Sequence, residues 1–292
     1  MRGTKFFNGT KAACFPCGTA LGSTFNAPLL REAGVKMGAE AKSKGAHVIL
    51  GPTINMQRSP LGGRGFESLS EDPVLAGLGA AALVQGIQET GIQATVKHFI
   101  CNDQEHKRNA VQSIVSQRAL REIYGLPFQL VFRDSKPGAV MTAYNGVNGK
   151  WCSESPELLE KLLRGEWGFD GLVMSDWYGT YSTVDAVKAG LDLEMPGPPR
   201  FRGEPLKFSV GADKVRMHEL DERVRTVLKF VKKCAEESGV GEGQEERAEN
   251  TEETAELLRK IGHEGTVLLK NDGGLLPFKK DKKVRYLDWE YS

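Results

Sequence analysis

Asp176 ends the apolar run Val173-Met174-Ser175 and is followed at once by Trp177. A carboxylate beside a large indole suits sugar chemistry: the carboxylate attacks or stabilises an oxocarbenium-like carbon, and the indole stacks on the apolar face of a pyranose. The same letters also fit Asp176 as the N-cap of a following helix, and Asp192 with Glu194 forms a rival carboxylate pair one apolar run later. Lys97-His98 closes the run that starts at Gln93, with Asn102, Glu105 and His106 beyond it. Adjacent strand residues point to opposite faces, so Lys97 and His98 both reach a ligand only where the strand breaks at its tip; otherwise one of them is a buried core side chain. A metal site from His98 and His106 lacks a third ligand, and no metal or other cofactor is expected. In Gly62-Gly63-Arg64-Gly65-Phe66-Glu67, glycines let backbone approach a ligand around a fixed cation that Glu67 is near enough to hold, although a surface turn with an ordinary ion pair reads the same way. Tyr144 offers a phenol at the end of Met141-Thr142-Ala143.

The elements that must position these groups follow from periodicity. Amphipathic helices are predicted over 27–44, 74–89, 116–132, 156–166, 183–189 and 214–237, and strands over 47–50, 93–98, 139–143, 171–175 and 191–195. Alternating βα units predict a parallel sheet, and their number suits a TIM-type (β/α)8 barrel, of which about five good strands are legible. In a barrel the functional groups lie just after each strand, which is where Arg64, Lys97, His98, Tyr144 and Asp176 fall. Residues 238–250, rich in Gly and Glu without apolar period, read as a linker. A helix over 251–264, a strand over 266–270 and the turn Asn271-Asp272-Gly273-Gly274 follow, as the opening of a second unit too short to build its own core. The expected organisation is therefore a barrel domain over 1–237, a linker over 238–250 and the start of another domain over 251–292.

The whole chain sets limits on partners. Its 292 residues carry 39 basic and 38 acidic side chains, a net charge of +1, which provides no long-range field for gathering nucleic acid. An uncharged small molecule is the expected partner. No apolar run reaches the roughly 18 residues of a spanning helix, and no signal-like segment follows Met1, so the sequence as written reads as intracellular, with secretion open for a longer form. Five cysteines, one close pair being Cys14-Phe-Pro-Cys17, argue against a disulfide framework. Asn8-Gly9-Thr10 is a glycosylation sequon that matters only in a secretory setting.

These segments together resemble the family 3 glycoside hydrolases, in particular the fungal β-glucosidase type. The resemblance runs through Gly51-Pro52-Thr53-Ile54-Asn55 with Gly62 to Ser68, through Val96-Lys97-His98-Phe99, through Ala139 to Gly149, and through Trp167 to Gly171 with Ser175-Asp176-Trp177. Leu191 to Gly197 and Glu264 to Asn271 extend it over nearly the whole sequence. It implies a barrel followed by the start of an α/β sandwich domain, and a retaining hydrolase acting on terminal β-D-glucosyl residues of oligosaccharides or glucosides. It implies Asp176 as nucleophile, Arg64, Lys97, His98 and Tyr144 as holders of the sugar hydroxyls, Trp177 as lining of the next subsite, and Asp192 and Glu194 as structural. The loop Phe99 to Arg108 lacks the Gly-His-Gly context of the N-acetylglucosaminide-cleaving subgroup, which favours a glucoside. It also implies an Asp-Gly-Pro segment with the first barrel strand ahead of Arg2-Gly3, and a general acid/base glutamate in the second domain, both beyond this sequence. The competing expectations are a catalytically impaired fragment or sugar-binding remnant that needs another domain, and, more remotely, a metal-dependent barrel hydrolase; homo-oligomerisation stays open.

Overall fold

The computed structural model describes residues 9–279; Arg2-Gly3 and the end of the 251–292 unit lie outside them. In chain order the elements are α1 (Gly18–Gly22), α2 (Ala27–Ser43), β1 (Val48–Ile49), α3 (Pro73–Glu89), β2 (Gln93–Phe99), β3 (Gln112–Ser113), α4 (Gln117–Ala119) and α5 (Leu126–Ser135). Next come β4 (Ala139–Thr142), β5 (Gly146–Val147), β6 (Lys150–Trp151), a wide helix over Glu157–Glu166, β7 (Leu172–Ser175), α6 (Val184–Lys188), α7 (Glu204–Gly211), α8 (Met217–Glu237) and α9 (Glu252–Glu264).

The main sheet runs β1-β2-β4-β7, all parallel, with Val48 opposite Gln93, Thr95 opposite Ala139 and Val140 opposite Val173. β4 and β7 are buried at every position, because both sheet faces are covered. On one face α2, α3, α5 and the 157–166 helix pack with Val96, Phe99, Val140 and Val173, and an aromatic cluster of Phe99, Phe128, Phe132, Trp167 and Phe169 fills the layer. On the other face Ala139, Met141, Leu172 and Met174 meet Leu50, Leu193 and Met195 with Val227 and Phe230 of α8. The order is that of a barrel wall, and no closed ring forms among the described residues.

Local chemistry sets the helix starts. Asn26 caps α2 by accepting from Leu29 N–H at 3.1 Å, and Asp72 caps α3 by accepting from Val74 and Leu75, each followed by a proline in the first turn. α2 and α3 approach backbone to backbone through Gly34 and Gly86: a Cβ on Gly86 would lie 2.0 Å from the Arg31 carbonyl oxygen.

Four expectations need correction. The helix over 116–132 is interrupted near Gly125, whose N–H bonds back five residues to Leu120 O at 2.7 Å, and a Cβ there would lie 3.2 Å from the Trp167 ring. The strand over 191–195 reduces to one bridge, Met174 to Leu193, because Asp192 and Leu193 both bond Val173 O and Met195 N–H then goes to the Ser175 hydroxyl in place of a backbone carbonyl. Residues 266–270 form no strand, since no described strand lies beside them to pair with, and Leu269 is 90% exposed. Helical spacing over 214–237 places Leu220, Val224, Val227, Leu228 and Val231 on one face, but in α8 that stripe is split: Val227 packs inward, while Val224, Leu228 and Val231 face outward. The 238–250 segment has no helix or strand and is tied to the end of α2, Arg247 N–H donating to Ser43 O at 2.8 Å and Lys44 Nζ to Arg247 O at 2.9 Å. No described helix is long and apolar enough to cross a membrane.

Candidate active site

Parallel strands end on the same edge, so the segments after β1, β2, β4 and β7 converge there. Thr53, just beyond β1, bridges to both Ser68 and Lys97, which brings the Arg64–Glu67 loop against the tip of β2. The register of β2 on β4 shifts between Val96 and Phe99. That irregularity breaks the two-residue alternation at the tip and lets Lys97 and His98 face the same site. His98 is 2% exposed, and its Nε2 lies 3.5 Å from Asp176 Oδ2 and 3.3 Å from Arg64 Nη1.

Asp176 follows β7 and is 8% exposed. Its Oδ1 accepts the Trp177 N–H at 2.6 Å, while Oδ2 is buried with no hydrogen bond of good geometry among the described residues. It is not a helix cap, since α6 begins at Val184 after Thr183. Burial pushes the Asp176 carboxyl above its ordinary value, against the Trp177 N–H, the Tyr144 hydroxyl and the charges of Lys97 and Arg64. Burial lowers Lys97, aided by Arg64 and opposed by Glu67 and Asp176. Burial first, then the cations Lys97, Arg64 and Arg108, hold His98 well below its usual value, so its ring is neutral.

Arg64 is gripped by Glu67 in a two-pronged ion pair, Nε to Oε1 at 2.9 Å and Nη2 to Oε2 at 2.8 Å. Glu67 is in turn bonded by Thr53 Oγ1 at 3.2 Å, and its carboxyl is held low by these partners in spite of burial. Gly63, at φ +87, supplies the bend ahead of Arg64 with the Glu105 side chain close on it. Tyr144 donates to the Trp177 carbonyl at 2.7 Å, and its phenol is pushed up to about 12 by burial and the Asp176 charge, so it remains a donor. Trp177 itself is 51% exposed and stands at the mouth of the site.

A family signature matches this chain from residue 3 to residue 230, described as the glycosyl hydrolase family 3 N terminal domain. The chain belongs to glycosyl hydrolase family 3. It is 57% identical over 284 residues to a probable β-glucosidase I of Aspergillus fumigatus, covering 97% of this chain and 34% of that protein. The crystal structure of a β-glucosidase from Kluyveromyces marxianus in complex with glucose superposes with a TM-score of 0.93 at 53% identity, covering 96% of this chain and 35% of that one. β-Glucosidase 3B from Thermotoga neapolitana in complex with α-D-glucose gives 0.86 at 40% identity, over 94% and 39%. The chain thus spans about a third of the length of the family 3 relatives it matches.

Arg64, Lys97, His98, Tyr144 and Asp176 are brought together on one edge of the family 3 domain, with Trp177 beside them. Asp192 and Glu194 are not part of this group. Asp192 accepts from Arg164 at 2.6 Å and from Val173 N–H at 2.8 Å and lies 3.4 Å from Arg223; burial lifts it to about 6 against those cations. Glu194 accepts the backbone N–H groups of Arg200, Phe201 and Arg202. Among the described residues no group of three or more His, Cys, Asp and Glu is placed to hold a metal, and His106 is exposed. Sequence reasoning missed Asn55, which bonds His98 through both backbone and ring, and Arg108, whose guanidinium lies 4.6 Å from the Tyr144 ring centre. Neither carries a spacing signal, because both act across the gap between separate loops.

Proposed function

We propose that this chain is the barrel portion of a retaining β-glucosidase, with Asp176 as the nucleophile. The observation that carries the reading is the Asp176 carboxylate: its Oδ2 is free of hydrogen bonds of good geometry, yet it faces Nε2 of His98 in a cluster with Arg64 and Lys97. Oδ2 attacks the anomeric carbon of a terminal glucosyl residue as the bond to the leaving oxygen breaks, giving a glycosyl ester that water later cleaves. Arg64, Lys97, His98 and Tyr144 hold the sugar hydroxyls, and Trp177 lines the adjoining subsite. Buried charged donors of this kind reject analogues that lack a hydroxyl far better than apolar contact does. Glu67 and Glu105 are engaged by Arg64 and Arg108, and by the family resemblance the acid that protonates the leaving group is a glutamate of the second domain. The barrel unit is assigned to 1–237, the linker to 238–250, and 251–292 to the opening of the α/β sandwich domain. The glucose named in the two solved relatives supports a small β-glucoside as substrate.

An activated fluoroglucoside with a dinitrophenyl leaving group tests this, because such a leaving group departs without a proton. The expected result is a fluoroglucosyl adduct on the peptide containing Asp176, with release of dinitrophenolate, absent in Asp176→Ala. An adduct on another carboxylate overturns the assignment. Glucose binding without any adduct favours the sugar-binding remnant.

A further inference from the structure

Asn55 meets His98 three times. Its Nδ2 donates to the His98 carbonyl oxygen at 2.8 Å, its Oδ1 accepts the His98 backbone N–H at 2.9 Å, and the same Oδ1 lies 3.2 Å from ring Nδ1. A backbone N–H only donates and a backbone carbonyl only accepts, so the first two bonds decide which end of the amide is oxygen without reference to the ring. An amide oxygen has no hydrogen to give, so the third contact is a bond only if Nδ1 carries the proton. On the ring's other side Arg64 Nη1 lies 3.3 Å from Nε2. A guanidinium only donates, so Nε2 accepts. Two neighbours nine residues apart in the connection from β1 to α3 therefore select the same neutral tautomer, and the burial and cations around His98 keep a second proton away.

We propose that Asn55 is a positioning residue that holds His98 in its Nδ1–H form, so that Nε2, 3.5 Å from Asp176 Oδ2, can only accept: from Arg64 Nη1 in the free site, and from a ligand hydroxyl that takes the place of the Arg64 bond. With both atoms unprotonated their contact is no salt bridge in the free site. It is a gap that a donor relieves, and Asp176 Oδ2 is a buried oxygen with no good hydrogen bond of its own. His98 then accepts from a sugar hydroxyl and cannot donate to one, so replacing that hydroxyl by fluorine, which gives no hydrogen, removes the interaction. The tautomer stands on the geometry alone; the sugar as ligand rests on the glucosidase reading.

The test is nuclear magnetic resonance of the full chain carrying isotope-labelled histidine rings, with His98 assigned through His98→Gln. The expected pattern at neutral pH is a pyrrole-type shift at Nδ1 and a pyridine-type shift at Nε2. Asn55→Asp keeps the acceptor and the pattern, whereas Asn55→Leu mixes or inverts it and weakens glucose binding about tenfold. A wild-type ring protonated on Nε2, or on both nitrogens, overturns the proposal even if Asn55→Leu fails to fold. Failure of glucose to bind beside the expected wild-type tautomer counts against the glucosidase reading and leaves the role of Asn55 standing. Glucose binding with the opposite tautomer does the reverse.

Discussion

Arg64 is useful to a ligand only in the orientation that Glu67 imposes, because a guanidinium on a free side chain must be ordered again at each binding event. Glu67→Gln keeps the shape but removes one charge-assisted prong, and a bond of that type is worth about 1.5 to 3 kcal/mol. The expected outcome is glucose binding weakened by about tenfold or more, with the unfolding free energy lowered by no more than about 1.5 to 3 kcal/mol, the worth of the lost prong, measured by titration calorimetry and urea denaturation. An equal loss in Glu67→Ala and no loss in Glu67→Gln would show that shape, not charge, matters there. Asp176 makes a second prediction at this scale. A nucleophile must be anionic, and burial raises this carboxyl above its ordinary value of 3.8 while Lys97 and Arg64 pull it down. The rate of adduct formation therefore falls, as pH decreases, at a higher pH than for an exposed aspartate. Lys97→Met removes one of the opposing charges and shifts that acidic limb to still higher pH; an unmoved limb would mean that Lys97 does not act on Asp176. The residue types at this site were legible in the sequence because Lys97, His98, Tyr144 and Asp176 stand at or just past strand ends, and Arg64 lies in the glycine-rich loop that follows β1. The Asn55 clamp was not, since an asparagine in a loop has many uses, and only the bulge at the tip of β2 settles that both Lys97 and His98 turn inward.

Elements were legible wherever period and capping agreed. β2, β4 and β7 lie within a residue of their expected bounds, and α2 and α3 start where Asn26 and Asp72 cap them. Legibility failed where tertiary contact overrides local pattern, as at Gly125 under the Trp167 ring and at Leu193, which is held by one bridge. The sequence also hides why some glycines are needed. Gly86 lies within the last turn of α3, where glycine is less favourable than alanine by up to about 0.5 to 1 kcal/mol, yet a Cβ there would meet the Arg31 carbonyl oxygen at 2.0 Å and the Val35 nitrogen at 2.8 Å. Gly262 in α9 has open space around its Cα. The same change to alanine should thus act with opposite signs. Gly86→Ala forces α2 and α3 apart and costs about 3 kcal/mol, whereas Gly262→Ala adds about 0.5 to 1 kcal/mol. Urea denaturation of both variants decides it, and stabilisation by both would mean that the helix pair yields freely.

For the whole molecule the instructive feature is how unevenly apolar surface is covered. The sheet is buried on both faces and its inner positions are nearly inaccessible, while Leu269 is 90% exposed, Leu275 71% and Phe278 52%, all after α9. α9 is itself well anchored, Asn26 donating to Glu264 at 2.8 Å and Ser23 to Gly265 O at 3.0 Å. The segment beyond it therefore starts from a fixed point, and among the described residues its large apolar side chains Leu269, Leu275 and Phe278 are largely exposed. Family relatives are about three times as long, and a surface of this kind is what a further domain would cover; alone it promotes association between copies. Leu269→Asp removes a large exposed side chain without touching the core, so the unfolding free energy should change by less than about 0.5 kcal/mol. Light scattering of the concentrated chain should fall at the same time. A stability loss like that of a core substitution would show that Leu269 packs against something, and unchanged scattering would move the source of association to the outward face of α8, where Leu228 is 62% exposed.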